Sequence, residues 1–345
     1  MDVNTTGGMR EEKNYSLKHH NTFGIDARCR RFVEFESSNE VVSFVKESKL
    51  KTPYFVIGAG ANVLFTKDYD GTILRSAIKG INLEPSIDGA TMCVGSGENW
   101  DEIVSYAVEN HLYGAENLSL IPGDVGASAV QNIGAYGVEA KDLISKVEAV
   151  DLSTGEIVVF SNADCHYGYR QSRFKNEWRG RYFITYVTFN FSSVFKPCLD
   201  YGNIRFYLEQ KGIDKLTAEE LRKAIIEIRR AKLPDPDVLG NGGSFFMNPI
   251  VDRRKFQELL TQYPSMPHYS VDAGHEKIPA GWMIEQCGWK GRSLGRASVY
   301  EKQALVLVNL GGATGDEVLH LCQAVCEDVF KKFGVEIHPE VNIIG

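Results

Sequence analysis

Ser244 has the sequence surroundings that most suggest chemistry. It follows the run Gly-Asn-Gly-Gly at 240–243, in which three glycines remove side chains and let a ligand approach the backbone closely. Phe245 and Phe246 come directly after it, and we expect their rings to give a ligand pocket dry walls. From this segment alone, Ser244 could be a nucleophile, a proton donor or a turn residue.

Two further glycine-rich segments have the composition of phosphate-binding loops. The first is Gly-Ala-Gly-Ala-Asn at 58–62, and the second spans the sixteen residues 122–137. Small residues let several backbone N–H groups face one ligand, which suits diphosphate oxygens. Either loop alone could equally be a tight connection. The first loop lacks the third glycine of a Rossmann fingerprint and no Walker loop is present, so the sequence predicts no Rossmann nicotinamide domain.

The elements that must position these loops form an α+β pattern without a regular βαβ rhythm. Capping boxes at Thr217 with Glu220 and at Thr314 with Glu317 predict two helices, each with one apolar stripe. Asp70-Gly71 predicts a hairpin turn. The other predicted elements are strands at 32–35, 54–57, 64–65 and 92–94, a hairpin at 146–160, and helices at 39–47 and 100–108.

Composition limits the classes of function. The 345 residues are 43% hydrophobic and carry a net charge of −7, which argues against broad nucleic-acid binding. No apolar run reaches the roughly 18 residues of a membrane span, and the N-terminus has no secretory signal. The seven cysteines are scattered without a Cys-x-x-Cys pair. We therefore expect a soluble, cytoplasmic protein with no zinc or other metal site and no membrane or nucleic-acid partner.

The order of the glycine-rich segments resembles that in one flavoprotein family, the UDP-N-acetylenolpyruvoylglucosamine reductases. This family is also called UDP-N-acetylmuramate dehydrogenase, or MurB. The resemblance covers essentially the whole chain after the N-terminal tail. Other segments that carry it are Asn21-Thr22-Phe23-Gly24, Tyr169-Arg170, Lys232-Leu233-Pro234-Asp235-Pro236, residues 280–288 and 303–307, and His338-Pro339-Glu340-Val341. The segment Leu199-Asp200-Tyr201-Gly202 further resembles the subclass with a substrate-covering tyrosine loop.

The resemblance implies a vanillyl-alcohol-oxidase-like fold that binds FAD without a covalent bond, followed by a C-terminal α+β substrate domain. The implied boundaries are 1–78 with 334–345 for the first flavin subdomain, 79–216 for the second, and 217–333 for the substrate domain. It also implies NADPH as co-substrate and UDP-N-acetylglucosamine enolpyruvate as substrate, reduced to UDP-N-acetylmuramate for peptidoglycan. In this family NADPH and the UDP-sugar use one cleft in turn, which agrees with the missing Rossmann domain.

Three residues match the catalytic positions of the family. Arg170 is implied as the cation at the substrate carboxylate, and a guanidinium suits this task because it can bind a carboxylate through two N–H groups. Ser244 is implied as the proton donor to the α-carbon, and the absence of a Gly-x-Ser-x-Gly elbow weakens its nucleophile interpretation. Glu340 is implied as a neutral acid or hydrogen-bond donor, since two close carboxylates raise each other's pKa.

Further residues match binding positions. For the flavin, the resemblance implies Gly58, Gly60, Ala61, Asn62, Val63, Gly123, Ser128, Asn132 and Gly134. For the substrate, it implies Tyr201, Lys232, Asn248 and Gln303, to which Arg229 adds charge. Asp124 and Ala127 depart from the small uncharged or hydroxyl residues common at their positions, and we expect the Asp124 carboxylate to point outward or cap a turn.

Two rival functions stay open at this point. One is a flavin oxidase of the same fold, which would pass electrons to oxygen and would not need Ser244 and Glu340. The other is a nucleotide-sugar-binding protein without catalysis, which would be expected to have lost at least one of Arg170, Ser244 and Glu340.

Overall fold

The computed structural model describes residues 8–213 and 215–345 and divides the chain into two compact units. The first unit contains Cys29–Ala59 and Asp70–Ala231 together with the N-terminal residues up to Tyr15. The second contains Ser16–Arg28, Gly60–Tyr69 and Lys232–Gly345. The three-part division expected from the sequence stays a prediction, and residues 1–7 and 214 within it lie outside the described residues.

The described residues contain helices and strands mixed along the chain without regular alternation, as the sequence predicts. The helices are α1 Ser38–Lys46, α2 Trp100–Glu109, α3 Val125–Gln131, α4 Ile204–Gln210, α5 Ala218–Lys232, α6 Arg253–Gln262, α7 Ala280–Gln286 and α8 Gly315–Phe333. The strands are β1 Arg10–Ser16, β2 Arg28–Phe35, β3 Tyr54–Ile57, β4 Val63–Phe65, β5 Tyr69–Ser76, β6 Ile81–Ser86, β7 Gly89–Gly95, β8 Gly134–Ala135, β9 Val138–Glu139, β10 Ile144–Asp151, β11 Ile157–Ser161, β12 Tyr182–Ser192, β13 Asn241–Ser244, β14 Ile250–Asp252, β15 Tyr269–Ser270, β16 His275–Lys277, β17 Ser293–Leu294, β18 Ala297–Val299, β19 Val306–Asn309 and β20 Asn342–Ile344.

The first unit contains two large sheets packed against helices, besides the two-stranded pair β8-β9. One has the strand order β1-β2-β5-β3, and the other has the order β11-β10-β12-β7-β6. Buried side chains of the second sheet, α2 and α3 form a single core around Trp100 and Phe189, whose ring centroids lie 5.6 Å apart. This core supports the 122–137 segment, because Val125 and Ala129 of α3 are part of it.

In the second unit, the sheet of order β13-β19-β18-β17 carries Ser244 at the end of an edge strand. The helix α8 packs on this sheet and on α7, and its apolar stripe of Val318, Leu321, Val325 and Val329 is buried. A separate parallel pair joins β20 to β4, with Ile343 opposite Leu64. This pair links the C-terminal segment to the end of the 58–62 loop.

Several local predictions are confirmed and one is wrong. Both capping boxes form, since Thr217 and Glu220 exchange hydrogen bonds and so do Thr314 and Glu317. The hairpin pairs Val150 with Ile157, as the turn residues between them indicate. Asp70-Gly71 is not a turn but part of β5, because that strand pairs in parallel with β3 from Thr72 to Arg75.

In residues 8–213 and 215–345, no helix combines the length and the apolar character that a bilayer span requires.

Candidate functional site

The glycines before Ser244 differ in their surroundings, since two of them are closely packed and one faces open space. A Cβ on Gly240 would lie 2.4 Å from the Phe23 carbonyl oxygen, and one on Gly242 would lie 2.7 Å from the Phe23 ring. Gly243 differs, since it adopts a φ of +67° with open space where a side chain would project. Two of the three glycines are therefore required by the packing of Phe23.

Ser244 itself is exposed, whereas the two aromatic residues after it are not. Phe245 and Phe246 are 0% and 1% exposed, and Phe245 meets Phe23 edge-on at 6.0 Å between ring centroids. The expectation that both rings form pocket walls is wrong, because they belong to the core beneath the strand. They hold the backbone that presents the Ser244 hydroxyl to the surface.

Glu340 lies on the backbone segment next to that of Ser244. The Glu340 N–H donates to the Phe245 carbonyl at 2.7 Å, and the Met247 N–H donates to the His338 carbonyl at 3.0 Å. Ser244 is therefore one residue away from a direct backbone bond to Glu340, whose side chain is half-buried. The second unit thus brings together two of the three predicted catalytic residues.

Other predicted residues of the second unit adjoin the same two segments. Asn62 donates through Nδ2 to the Glu340 carbonyl at 3.4 Å. Gln303 accepts the Leu305 N–H at 3.3 Å, and the Leu305 carbonyl accepts the Phe245 N–H at 2.7 Å. Asn248 accepts the Ala280 N–H at 2.9 Å, which fixes the amide at the start of α7.

The remaining predicted residues of this unit are placed less closely. Lys232 is the exposed last residue of α5. Gly60 has a φ of +74°, and a Cβ there would lie 2.0 Å from the His20 carbonyl oxygen. Ala61 precedes Asn62 in the half-buried loop, and Val63 is buried in β4 opposite Asn342.

Arg170 is held in the first unit by a tight local structure. Its backbone has a φ of +55°, which is uncommon for a residue with a side chain. Its Nη2 donates to the Gly134 carbonyl at 2.5 Å, and its guanidinium carbon lies 5.3 Å from the Tyr169 ring centroid. A Cβ on Gly134 would lie 2.8 Å from Arg170 Nη1, so Gly134 makes room for this side chain. Backbone strain of this kind is often stored at functional sites.

The polar residues of the 122–137 segment are largely used inside the protein. Ser128 is buried, and its hydroxyl donates to the Val125 carbonyl at 2.6 Å. Asn132 is fully buried at the end of α3, donates to the Gly168 carbonyl at 2.7 Å and accepts the Lys141 N–H at 3.0 Å. Their side chains therefore hold the segment in shape.

The two glycine-rich loops meet in the first unit at Gly58 and Asp124. A Cβ on Gly58 would lie 3.2 Å from the Ala127 Cβ and 3.3 Å from Asp124 Oδ2, so this contact is close. The Ala59 N–H faces the Asp124 carboxylate and acts to lower its pKa. Gly123, just before Asp124, adopts a φ of +130° that favours glycine.

The sequence leaves two orientations open for Asp124, pointing outward and capping a turn, and the outward one is wrong. Asp124 is only 6% exposed, and its carboxylate faces the Ala59 N–H of the other loop. Burial raises the pKa of the Asp124 carboxyl to about 6, while nearby Arg75 and Lys79 act in the opposite direction. The sequence contains no local signal for this contact, because Ala59 lies 65 positions earlier.

Arg229 lies at a second charged cluster of the first unit. Burial lowers the pKa of its guanidinium, and its Nε is buried without a hydrogen-bond partner among the described residues. Asp101 is the nearby charge that favours it, and Arg170 acts against it. Asp101 is itself paired with Arg222 at 2.6 Å. A buried cation with an unused donor has the chemistry of an anion site.

Tyr201 is 38% exposed and lies next to Gly137 of the 122–137 segment. A Cβ on Gly137 would lie 3.3 Å from the Tyr201 Cβ. Asn117, which the sequence analysis missed, is 2% exposed and donates through Nδ2 to the carbonyls of Tyr136 and Cys198 at 2.8 and 2.9 Å. It fastens the chain just before Tyr201 to the 122–137 segment, and no sequence pattern around Asn117 indicates this.

Comparisons with known proteins cover both units. A family model described as an FAD binding domain matches residues 29–161, and one described as the C-terminal domain of UDP-N-acetylenolpyruvoylglucosamine reductase matches residues 235–344. A protein of that name from Bacteroides fragilis is 52% identical over 334 residues, which cover 96% of this chain and all of the relative. One from Burkholderia mallei is 46% identical over 330 residues, covering 94% of this chain and 95% of that relative.

Solved structures show the same fold. The crystal structure of the UDP-N-acetylenolpyruvylglucosamine reductase from Thermus caldophilus matches with a TM-score of 0.67 at 22% identity, covering 98% of this chain and all of that one. That of 6-hydroxy-D-nicotine oxidase from Arthrobacter nicotinovorans matches with a TM-score of 0.54 at 12% identity, covering 97% of this chain and 88% of the other. The predicted α+β flavoprotein fold is confirmed by these matches.

Proposed function

The chain belongs to the UDP-N-acetylenolpyruvoylglucosamine reductase family, and from this membership we propose that it reduces UDP-N-acetylglucosamine enolpyruvate to UDP-N-acetylmuramate with NADPH, for peptidoglycan synthesis. The observation that carries the proposal is identity of 52% over 96% of the chain and the whole of a relative with that name. The matched FAD binding domain makes FAD the cofactor.

The residues of the first unit fit an FAD diphosphate at the two glycine-rich loops. Gly58 and Gly123 bring the backbone of both loops together. We assign cofactor contacts to the backbone of Gly58, Gly123, Ser128, Asn132 and Gly134. From the second unit we assign Gly60, Ala61, Asn62 and Val63. When bound, FAD supplies the hydride that the β-carbon of the enolpyruvyl group receives.

The substrate α-carbon and carboxylate gain negative charge in this reaction, so the protein must supply cations or donors there. We assign Arg170 to the substrate carboxylate. The bond from Nη2 to the Gly134 carbonyl supports this role because it fixes one edge of the guanidinium. Arg229, with its buried unused Nε, is assigned to a substrate phosphate.

The α-carbon then needs a proton, which we assign to the Ser244 hydroxyl. Its exposure on β13, above two buried phenylalanines, supports the assignment. A serine is a weak acid, so a neighbour must stabilise the alkoxide as it forms. The Glu340 N–H donates to the carbonyl of Phe245, the residue after Ser244, at 2.7 Å. We assign Glu340 as the neutral acid that donates to the developing enolate.

We assign the rest of the substrate contacts to Tyr201, Lys232, Asn248 and Gln303. The fixed amides of Asn248 and Gln303 beside the Ser244 segment support this for the second unit. We further propose that the protein acts in the cytoplasm, where the UDP-sugar substrate and NADPH are made. Its seven cysteines are free, which suits a reducing compartment.

Anaerobic spectroscopy of the purified protein tests the proposed function. NADPH should bleach the flavin absorbance, and UDP-N-acetylglucosamine enolpyruvate alone should restore it. Rapid recovery in air without the UDP-sugar would indicate a flavin oxidase. A protein that binds the UDP-sugar but takes up no FAD would be a binding protein, and the reductase proposal would then be wrong.

A further inference from the structure

Asp124 is a buried carboxylate at the junction of the two glycine-rich loops of the first unit. It is 6% exposed, and its Oδ2 lies 3.3 Å from the position that a Cβ on Gly58 would take. The Ala59 N–H of the first loop faces the same carboxylate, which itself lies in the second loop, and acts to lower its pKa. One side chain therefore joins the two segments to which we assign the FAD diphosphate.

The negative charge of Asp124 is poorly balanced by its neighbours. Arg75 Nη2 lies 4.0 Å from Oδ2, beyond hydrogen-bonding distance, and Arg75 Nη1 already bonds Glu34. Lys79 also faces the carboxyl but donates to the Gly97 carbonyl at 2.6 Å and to Glu98 at 3.2 Å. Both Asp124 Oδ2 and Arg75 Nε are buried with no hydrogen-bond partner among the described residues.

We propose that Asp124 is a positioning residue that ties the two loops of the flavin-diphosphate cradle together and takes up one proton from solvent when FAD binds. The proposal rests on the proposed cofactor site. A diphosphate brings two negative charges to loops that already contain a buried carboxylate, and like charges at close range disfavour each other. A neutral carboxyl removes this repulsion, and its C=O can still face the Ala59 N–H.

The protonation equilibrium of the Asp124 carboxyl lies close enough to neutral pH for this proton uptake. Because burial raises the pKa of the Asp124 carboxyl to about 6, most of it is ionised at neutral pH, and protonation costs little. A further rise in the pKa on FAD binding moves the protonation midpoint into the working range. Binding of FAD is then linked to proton uptake, and FAD affinity falls as pH rises.

Titration of the FAD-free protein with FAD, followed by flavin fluorescence, tests the linkage. Between about pH 5.5 and about pH 8, where free FAD does not change protonation, we expect the Kd of the natural protein to rise about tenfold for each unit by which FAD raises the pKa of Asp124. Calorimetry in two buffers of different ionisation enthalpy should show part of a proton taken up per FAD near pH 7. Asp124→Asn keeps the shape and the acceptor for Ala59, and we expect it to show neither effect and to bind FAD more tightly at the high end of the range.

Asp88→Asn is the matched control, since Asp88 is exposed in the same unit, and its pH dependence should equal that of the natural protein. Thermal unfolding without FAD checks that each variant folds. If Asp124→Asn does not fold, Asp124→Ser is used in its place. Proton uptake of zero in the natural protein, or an unchanged uptake in the folded Asp124 variant, would overturn the proposal while leaving the reductase function intact. Failure of the natural protein to bind FAD at any pH would instead contradict the proposed function.

Discussion

Ser244 illustrates what single residues contribute to the proposed reaction. Its hydroxyl is exposed, while the neighbouring Phe245 and Phe246 are buried and so fix the strand that carries it. The serine has one proposed task, proton donation, which comes after flavin reduction. The two halves of the reaction can therefore separate its role from that of the cofactor-binding residues.

Ser244→Ala should leave reduction of the flavin by NADPH nearly unchanged and slow its re-oxidation by the UDP-sugar. Positioned acid catalysis is worth roughly 10²- to 10⁴-fold, so we expect a loss in that range. Stopped-flow absorbance of each half under nitrogen measures both rates. An equal loss in both halves would contradict the role as proton donor.

Arg170→Lys tests whether the guanidinium binds the substrate carboxylate through two N–H groups. Lysine keeps the charge but loses the paired donors and the bond to the Gly134 carbonyl. Hydrogen bonds to charged groups contribute about 1.5 to 3 kcal/mol, so kcat/KM for the UDP-sugar should fall roughly 10- to 100-fold. Arg173→Lys, at an exposed pair with Glu177, is the control and should behave as the natural protein. Equal kinetics in both variants would remove the assignment of Arg170.

Among the elements, β13 shows why a glycine-rich segment needs the whole structure for its interpretation. The sequence attributes its three glycines to ligand access, but Gly240 and Gly242 are required by Phe23. Phe23 lies more than 200 residues earlier, so no local pattern connects them. Capping boxes at Thr217 and Thr314 could be predicted because both partners lie within one turn. The turn predicted at Asp70-Gly71 failed because pairing with a distant strand outweighed local turn preference.

Gly242→Ala should destabilise the second unit. The added Cβ would lie 2.7 Å from the Phe23 ring, so strand or ring must shift, which typically costs about 1 to 3 kcal/mol. Gly274→Ala is the control, because its Cβ would meet nothing closer than 3.5 Å, and we expect a change within about 0.5 kcal/mol. Urea unfolding of both variants measures the difference, and equal stabilities would show that β13 does not need glycine at 242.

For the whole molecule, matches to family models, relatives and solved structures extend over both units, whereas the catalytic assignments depend on a few side chains. The sequence resemblance anticipated the family and the α+β flavoprotein fold. It could not anticipate the burial of Asp124 or the unused donor of Arg229, because both arise from packing between distant segments. These buried charges also affect the stability of the folded chain.

The unfolding free energy without FAD should depend on pH through Asp124. Its pKa is raised from 3.8 to about 6 on folding, so its contribution is fully present below about pH 4 and is lost as pH rises through about 6. A shift of this size corresponds to about 3 kcal/mol. Asp124→Asn lacks this loss, so its stability relative to the natural protein should increase between about pH 4 and about pH 7. Urea unfolding at several pH values measures the difference, and a constant difference would contradict the raised pKa.

Product analysis under strictly anaerobic conditions tests the proposed function most directly. The purified protein with FAD, NADPH and UDP-N-acetylglucosamine enolpyruvate should form one UDP-N-acetylmuramate, identified by mass spectrometry, for each NADPH consumed. NADPH consumption that requires oxygen and leaves the UDP-sugar unreduced would contradict it.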